Sequence, residues 1–303
     1  MPELPEVQTV VNDLNKTIRG CTILGVTYCD NKKAFKGISF ERFKKEIKNR
    51  KIIGVKRRAK YILIKLSEDK ILIFHLKMTG HLIVTQKSNL KSQKFGAPSA
   101  QYIKNGKWQG NNLPKELLDP KNQFIHLVLE LSGGKILAFS DMRKFGVIRL
   151  ENASYLAGLN KKLGPEPLDK KFTLNIFKNI LSRSAGKIKQ VLMDQNRIAG
   201  IGNIYGDEIL YLAGVRPDRR VKSLSAQEVV KIYKSIPLVL KKAIKYRGSS
   251  ESDYRDASGK KGNYQNHSYV YRKEKQKCGK CGGKIRKIKI GQRSAHYCVK
   301  CQK

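Results

Sequence analysis

Four cysteines close the sequence in the pattern Cys278-x2-Cys281-x16-Cys298-x2-Cys301. Each Cys-x2-Cys pair can curl around one edge of a metal ion, and two such pairs make a tetrahedral thiolate set for one structural Zn2+. With all four positions filled by protein, no coordination place is left for water, so the metal is structural rather than catalytic. The intervening KIRKIKIGQRSAHY alternates apolar and polar residues around Gly291, which predicts a β-hairpin. Two disulfides are the competing reading, and they fit poorly with an N-terminus that lacks the charged start and apolar stretch of a secretion signal. Cys21 and Cys29 lie outside the pattern and read as buried thiols.

Upstream of this tail the periodicity changes twice. Leu4, Val7, Val10, Val11, Leu14 and Ile18 recur at steps of three and four, predicting an amphipathic helix that stops near Gly20. The runs TILGVTY, KIIGVKRRAKYILIKL, KILIFHLKMTGHLIV and FIHLVLELSGGKILAFS are then β-branched and broken by turn residues, with Ser132-Gly133-Gly134 as a hairpin turn. Residues 86–122 interrupt them with a polar, Lys/Asn/Gln-rich stretch that reads as a long loop or insertion of low order. From about residue 155 the period is helical, in FTLNIFKNIL, KIKQVLMDQ, NIYGDEILYLAG and AQEVVKIYKSIPLVLKKAIKY. Ser225 and Glu228 form a capping box ahead of the last of these. RGSSESDYRDASGKKGN follows, with the composition of a mobile linker or binding loop. Strands first and helices after make an α+β chain. The expected domains are 1–150, 155–247, a loop at 248–269 and the cysteine tail at 270–303.

Charge narrows the class of partner. The 303 residues hold 63 Lys+Arg against 24 Asp+Glu, a formal net charge of +39. From Tyr271 to Lys303 there are twelve Lys+Arg and one acidic residue, Glu274. Such a chain favours polyanions, nucleic acid above all, although a basic proteome could account for part of the excess. No apolar run approaches the roughly 18 residues of a membrane span. A cytoplasmic, nucleoid-associated monomer is expected.

Two further stretches carry chemistry. Gly200 and Gly202 precede the helix expected from Asn203, and a glycine turn feeding a helix N-terminus suits one phosphate, though most such glycines simply turn the chain. The opening MPELPE places two glutamates beside a proline. Were Met1 removed, Pro2 would present a secondary amine able to attack a carbonyl-level carbon and give an iminium. Glu3 could serve as acid or base and Glu6 could fix the geometry. Glutamates before a helix also complement its dipole, and on spacing alone that bland reading prevails.

Taken together, MPELPEVQTVV, RRAKY at 57–61, FHLKMTG at 74–80, DMRKFG at 141–146, LGPEPL at 163–168, GIGNIYGDEIL at 200–210 and CGKC…QRSAHYCVKCQK resemble the bacterial formamidopyrimidine-DNA glycosylases from the first residue to the last. Leu4 resembles these more than the related endonuclease VIII group, which typically has glycine there. The resemblance implies an N-terminal β-sandwich with a leading helix, a helix-two-turn-helix module and a zinc-bound β-hairpin, with damaged double-stranded DNA in the cleft between lobes. It implies a bifunctional DNA glycosylase and abasic-site lyase of base excision repair, acting on 8-oxoguanine and formamidopyrimidines.

By the same resemblance Pro2 is the nucleophile at deoxyribose C1′ and Glu3 the acid during base loss and ring opening. Lys60 assists β-elimination, and Arg293 assists δ-elimination and contacts phosphate. Met78, Arg143 and Phe145 fill the space of the flipped nucleotide, a known use of apolar wedges. Asn203 meets a phosphate, and Glu6, His75, Asn122 and Lys189 fall in DNA-contacting stretches. Tyr254 and 255–268 belong to a loop closing over the flipped base. Departures are Asn122-Gln123-Phe124 in place of a His-x-His pair, Met142 for proline and Lys144 for arginine. Lys77, Arg272 and Lys275 stand where glycines are usual. Two other readings remain: a non-catalytic zinc protein that binds nucleic acid, and a glycosylase for oxidised pyrimidines. The combination of Pro2, Glu3, Lys60 and Arg293 weighs against the first, Leu4 and MRKFG mildly against the second.

Overall fold

The computed structural model describes residues 1–90, 102–110 and 113–303. Two compact units are present. The first holds residues 1–2, 6–158 and 247–263, and the second 3–5, 159–246 and 264–303.

In the first unit the expected helix is α1 (Leu4–Thr17), and its stripe of Val7, Val10, Val11 and Leu14 is buried. Gly20 follows with φ of +85°, the left-handed conformation that ends helices. Strands β1 (Ile23–Cys29), β2 (Ile52–Arg58), β3 (Tyr61–Leu66), β4 (Ile71–His75), β5 (Gly80–Gln86), β6 (Ile103–Lys104), β7 (Lys107–Trp108), β8 (Ile125–Leu131), β9 (Lys135–Asp141) and β10 (Val147–Glu151) come next, with α2 (Phe40–Ile47) between β1 and β2. Eight of them build two antiparallel sheets, ordered β1-β8-β9-β5 and β10-β4-β3-β2. Their facing side chains form a single core with α1 and α2. Phe74 of one sheet meets Phe139 of the other at 5.7 Å between ring centroids. This is the expected sandwich.

The stretch 86–122 departs from expectation. Residues 91–101 and 111–112 lie outside the described residues, but the rest is built structure rather than a loop of low order. Leu90, Ile103, Trp108 and Leu117 form a second core with Ile83, Val128, Ile136 and Ala138, on the opposite face of the β5, β8 and β9 sheet. The clue was in the strands. IHLVLEL is apolar at nearly every position, as a strand covered on both faces must be.

In the second unit, α3 (Ala153–Lys162) carries the chain in from the first, followed by α4 (Leu174–Ser182), α5 (Ile188–Met193), α6 (Asn203–Ala213) and α7 (Ala226–Lys245). Helix α6 is buried almost all round, so it is the centre of the module. Ser225 and Glu228 make the capping box, each accepting from the other's backbone N–H. Strands β11 (Ile285–Ile290) and β12 (Arg293–Cys298) pair from Ile290↔Arg293 to Ile285↔Cys298, leaving Gly291 (φ +57°) and Gln292 as the turn. Among the described residues no helix is long and apolar enough to cross a membrane.

Candidate functional site

Of the opening MPELPE, residues 3–5 belong to the second unit. Glu3 is buried, and its carboxylate accepts from the backbone N–H of Ile204 at 2.9 Å and of Tyr205 at 3.3 Å. Those amides are the unpaired donors in the first turn of α6, at the positive end of its dipole. The glycine turn expected to suit a phosphate therefore serves the chain's own carboxylate. A Cβ on Gly202 would stand 2.3 Å from the Glu3 carboxyl carbon, and one on Gly200 (φ +88°) 2.8 Å from the Leu4 side chain. Both glycines are there for close approach. Leu4 N–H donates to the Gly200 carbonyl at 3.0 Å, closing the contact.

Asn203, the first residue of α6, is half-buried, and its side chain hydrogen-bonds the Tyr271 hydroxyl. Both line a cavity of about 580 Å³ whose other walls include Arg272, Lys275 and Lys287. Arg293 is exposed at the start of β12. Its neighbour Ser294 accepts from the Lys189 ammonium at 2.6 Å, and Lys189 also pairs with Asp207 at 2.6 Å. Asp207 in turn accepts from the His296 backbone N–H at 2.9 Å and lies 3.0 Å from its Nδ1. Burial pulls the Lys189 ammonium below its ordinary pKa, with Asp207 pulling the other way. Lys189, which the resemblance places among the DNA contacts, ties α5 and α6 to the hairpin that carries Arg293.

GIGNIYGDEIL also carries Asp207 and Glu208, to which the sequence alone gives no role. The fully buried Glu208 carboxylate accepts from the backbone N–H groups of Tyr269, Val270 and Tyr271 at 2.7–2.9 Å and from the Tyr264 hydroxyl at 2.9 Å. Burial still raises its pKa against those four donors. An acidic pair inside an otherwise apolar helix was the available signal.

The four tail cysteines converge as their spacing predicts, with all Sγ atoms within 4.8 Å of one another. Cys278 and Cys301 are 3.8 Å apart, and Cys281 and Cys298 3.4 Å. A tetrahedron with Zn–S bonds of about 2.3 Å has edges of roughly 3.8 Å, so the set fits one structural zinc.

In the first unit Pro2 is buried. Lys60 and Ala59 are the two-residue turn between β2 and β3, where Arg58 pairs with Tyr61. Ala59 has φ of +51°, uncommon for a residue with a Cβ, and the Arg57 guanidinium donates to its carbonyl at 3.0 Å. Lys60 is buried at the tip of a fixed hairpin. His75 ends β4, packs edge-on against Tyr61, and accepts at Nδ1 from the Lys77 N–H at 3.0 Å. Burial, then the Lys77 and Lys60 charges, lower its pKa to about 4. It is a neutral imidazole with its proton on Nε2.

Met78, Arg143 and Phe145 are exposed. They gather: the Arg143 guanidinium donates to the Met78 sulfur at 3.0 Å and lies 4.6 Å from the Phe145 ring centroid. Asp141, the first residue of DMRKFG, shapes both turns. Its carboxylate accepts from the Gly146 N–H at 2.6 Å, the Arg143 N–H at 3.3 Å and the Thr79 hydroxyl.

Three residues that the resemblance places among the DNA contacts are buried in the first unit. Glu6 is buried and accepts from the Ser249 N–H at 2.7 Å. Tyr254 belongs to the sandwich core, where its hydroxyl donates to the Glu6 carbonyl at 3.3 Å; burial, then the Glu6 charge, raises its pKa well above the usual value. Asn122 is fully buried, donating to the Glu116 and Gly259 carbonyls and accepting from His81 Nε2 at 2.8 Å. Every polar atom of its amide is thus engaged inside the fold.

Family models described as formamidopyrimidine-DNA glycosylase N-terminal domain, formamidopyrimidine-DNA glycosylase H2TH domain, and zinc finger found in FPG and IleRS match residues 1–148, 163–255 and 275–303. The chain is 38% identical over 302 residues to the formamidopyrimidine-DNA glycosylase of Herpetosiphon aurantiacus, covering 100% of both. It is 38% identical over 305 residues to that of Pelotomaculum thermopropionicum, covering 100% of this chain and 99% of the other. Among solved structures, the Lactococcus lactis Fpg in complex with an abasic-site DNA aligns with TM-score 0.81 at 33% identity, over 99% of each chain. The same bacterium's Fpg with a Fapy-dG DNA aligns with TM-score 0.80 at 33% identity, over 99% of this chain and 100% of that one.

Proposed function

The chain belongs to the formamidopyrimidine-DNA glycosylase family, and from that membership we propose that it excises oxidised purines from damaged duplex DNA and then cuts the abasic strand. The substrates are 8-oxoguanine and formamidopyrimidines, and the protein works as a cytoplasmic monomer on chromosomal DNA. The observation that carries this reading is the Glu3 carboxylate, pinned by the Ile204 and Tyr205 amides in the residue directly after Pro2. A group that must deliver a proton at one atom gains from being held in one place.

With Met1 removed, the neutral Pro2 nitrogen attacks deoxyribose C1′, the damaged base leaves with the electron pair of its bond to C1′ and takes up the proton that Pro2 gives up, and Glu3 protonates O4′ as the sugar ring opens to the iminium. The resulting iminium draws electrons from the C2′–H bond. Lys60 assists loss of that proton and β-elimination of the 3′ phosphate, and Arg293 assists δ-elimination of the 5′ phosphate. Met78, Arg143 and Phe145 occupy the gap left by the everted nucleotide. Zinc holds the hairpin that presents Arg293 and takes no part in bond breaking.

Borohydride trapping on a duplex with 8-oxoguanine opposite cytosine tests the reading. The expected product is a covalent adduct mapped to Pro2 by peptide mass, with Met1 absent. A zinc-loaded protein with a processed N-terminus that forms no adduct there, nor on abasic or oxidised-pyrimidine duplexes, is a DNA-binding zinc protein instead.

A further inference from the structure

Residues 247–263 have the composition of a mobile loop, yet they are tied to the segment 113–122 at several points. The Arg255 guanidinium grips the Asp119 carboxylate with three hydrogen bonds of 2.8–3.0 Å. Lys121 pairs with Asp253 at 2.7 Å, Lys260 lies 3.6 Å from Glu116, and Asn122 donates to the Gly259 carbonyl at 2.9 Å. These ties are sheltered: the Arg255 side chain is 4% exposed and that of Asp119 21%. Burial raises the Asp119 pKa, but the Lys121 N–H and the Arg255 guanidinium outweigh it and hold the carboxyl below its ordinary value. A bidentate, charge-assisted pair of this kind fixes orientation as well as proximity. The segment 113–122 is itself anchored, since Leu117 belongs to the outer core with Trp108, and the Trp108 indole N–H donates to the Asn122 carbonyl at 3.0 Å.

We propose that Asp119 is a positioning residue: through Arg255, the 113–122 segment braces residues 250–260 in one conformation before DNA arrives. The inference rests on the reading, implied by the family resemblance, of Tyr254 and residues 255–268 as the loop that closes over the flipped base. A loop ordered in advance gives up less conformational entropy on binding, so the brace acts on base excision and not on abasic-site cleavage, where there is no base to meet.

Asp119→Asn is the informative variant. Asp119 also caps the short 3-10 turn at Pro120–Asn122 by accepting from the Lys121 N–H, and asparagine keeps that cap while removing the charge. Amide exchange over 250–260 should quicken by about tenfold or more. The kcat/KM for 8-oxoguanine excision should fall by about tenfold, mostly in KM, with abasic-duplex cleavage within about twofold of the unmodified protein. Arg255→Leu should do the same, and the double variant should be no worse than either single one, as a shared interaction requires. Unchanged exchange overturns the brace. Faster exchange with equal loss on both duplexes reduces Asp119 to a general structural role and also overturns it. Faster exchange with no change on either duplex removes 247–263 from base recognition. If the unmodified protein excises nothing, the glycosylase reading has failed, while exchange still reports on the brace.

Discussion

The Lys189 ammonium and the Asp207 carboxylate stand 2.6 Å apart, 1% and 0% exposed, and Asp207 passes the contact on to His296 of the zinc hairpin. Removing one member of a buried pair leaves the other charged without compensation, which costs about 3–5 kcal/mol. Lys189→Met should therefore lower the unfolding free energy by about that amount in a denaturant titration, with Asp207→Asn milder because it keeps a hydrogen-bonding partner for His296. A Lys189→Met loss below about 1 kcal/mol would show that Asp207 is relieved from another direction.

The His75 imidazole gives a pH signature. Its folded pKa is about 4 and its ordinary value 6.5, so on acidification the unfolded chain takes up the proton first. Stability is thus complete above pH 6.5 and falls as pH drops towards 4, by up to about 3 kcal/mol. His81, whose pKa burial also lowers, adds a contribution of the same sign. His75→Gln should flatten the wild-type curve between pH 6.5 and 4 without removing the His81 part. Parallel curves for the two proteins would mean that His75 is solvated enough to titrate normally.

Exposure separates the wedge from its support. Phe145 is 51% exposed, so Phe145→Ala should change stability by no more than about 0.5 kcal/mol. On the proposed function its kcat/KM on a lesion duplex should nevertheless fall by about tenfold or more, because the space it would fill is created only when a nucleotide is flipped. Asp141→Ala should do the reverse in order of cause, losing about 3 kcal/mol of stability by stranding the Gly146 N–H and the Thr79 hydroxyl, with activity falling as a consequence. Equal melting temperatures for Asp141→Ala and the unmodified chain would refute this account of the two turns.

The legible parts of the chain were those where local chemistry decides the outcome. The four cysteines, the Ser132-Gly133-Gly134 turn, the stripe of α1 and the Ser225 cap each depend on residues within one element. The roles of Glu3 and Glu6 were not legible, because each is fixed by amides more than two hundred positions away, in Ile204 and Ser249. Asn122 stands where the resemblance has a histidine, and its burial is not legible either, because Trp108, His81 and Gly259, all distant in sequence, enclose it. The 247–263 segment has loop composition, yet its Asp, Arg and Lys residues are largely consumed by partners inside the fold.

Three departures from the family resemblance share one backbone property. Lys77, Arg272 and Lys275 stand where glycines are usual, and their φ angles are +52°, +55° and +71°. A side chain in the left-handed region costs roughly 1–2 kcal/mol, and glycine recovers part of that against its own greater freedom when unfolded. Replacing each by glycine should therefore stabilise the protein by about 0.5–1 kcal/mol, read as a rise in melting temperature. The same change removes a positive charge. Arg272 and Lys275 line the cavity beside Asn203, so Arg272→Gly and Lys275→Gly should weaken DNA binding and reduce the slope of log affinity against log salt by about 1 each. Lys77 is exposed next to Met78 and should follow the same rule. A stabilised variant with an unchanged salt slope would mean that the charge never reaches a phosphate, and that the strained backbone is retained for another reason.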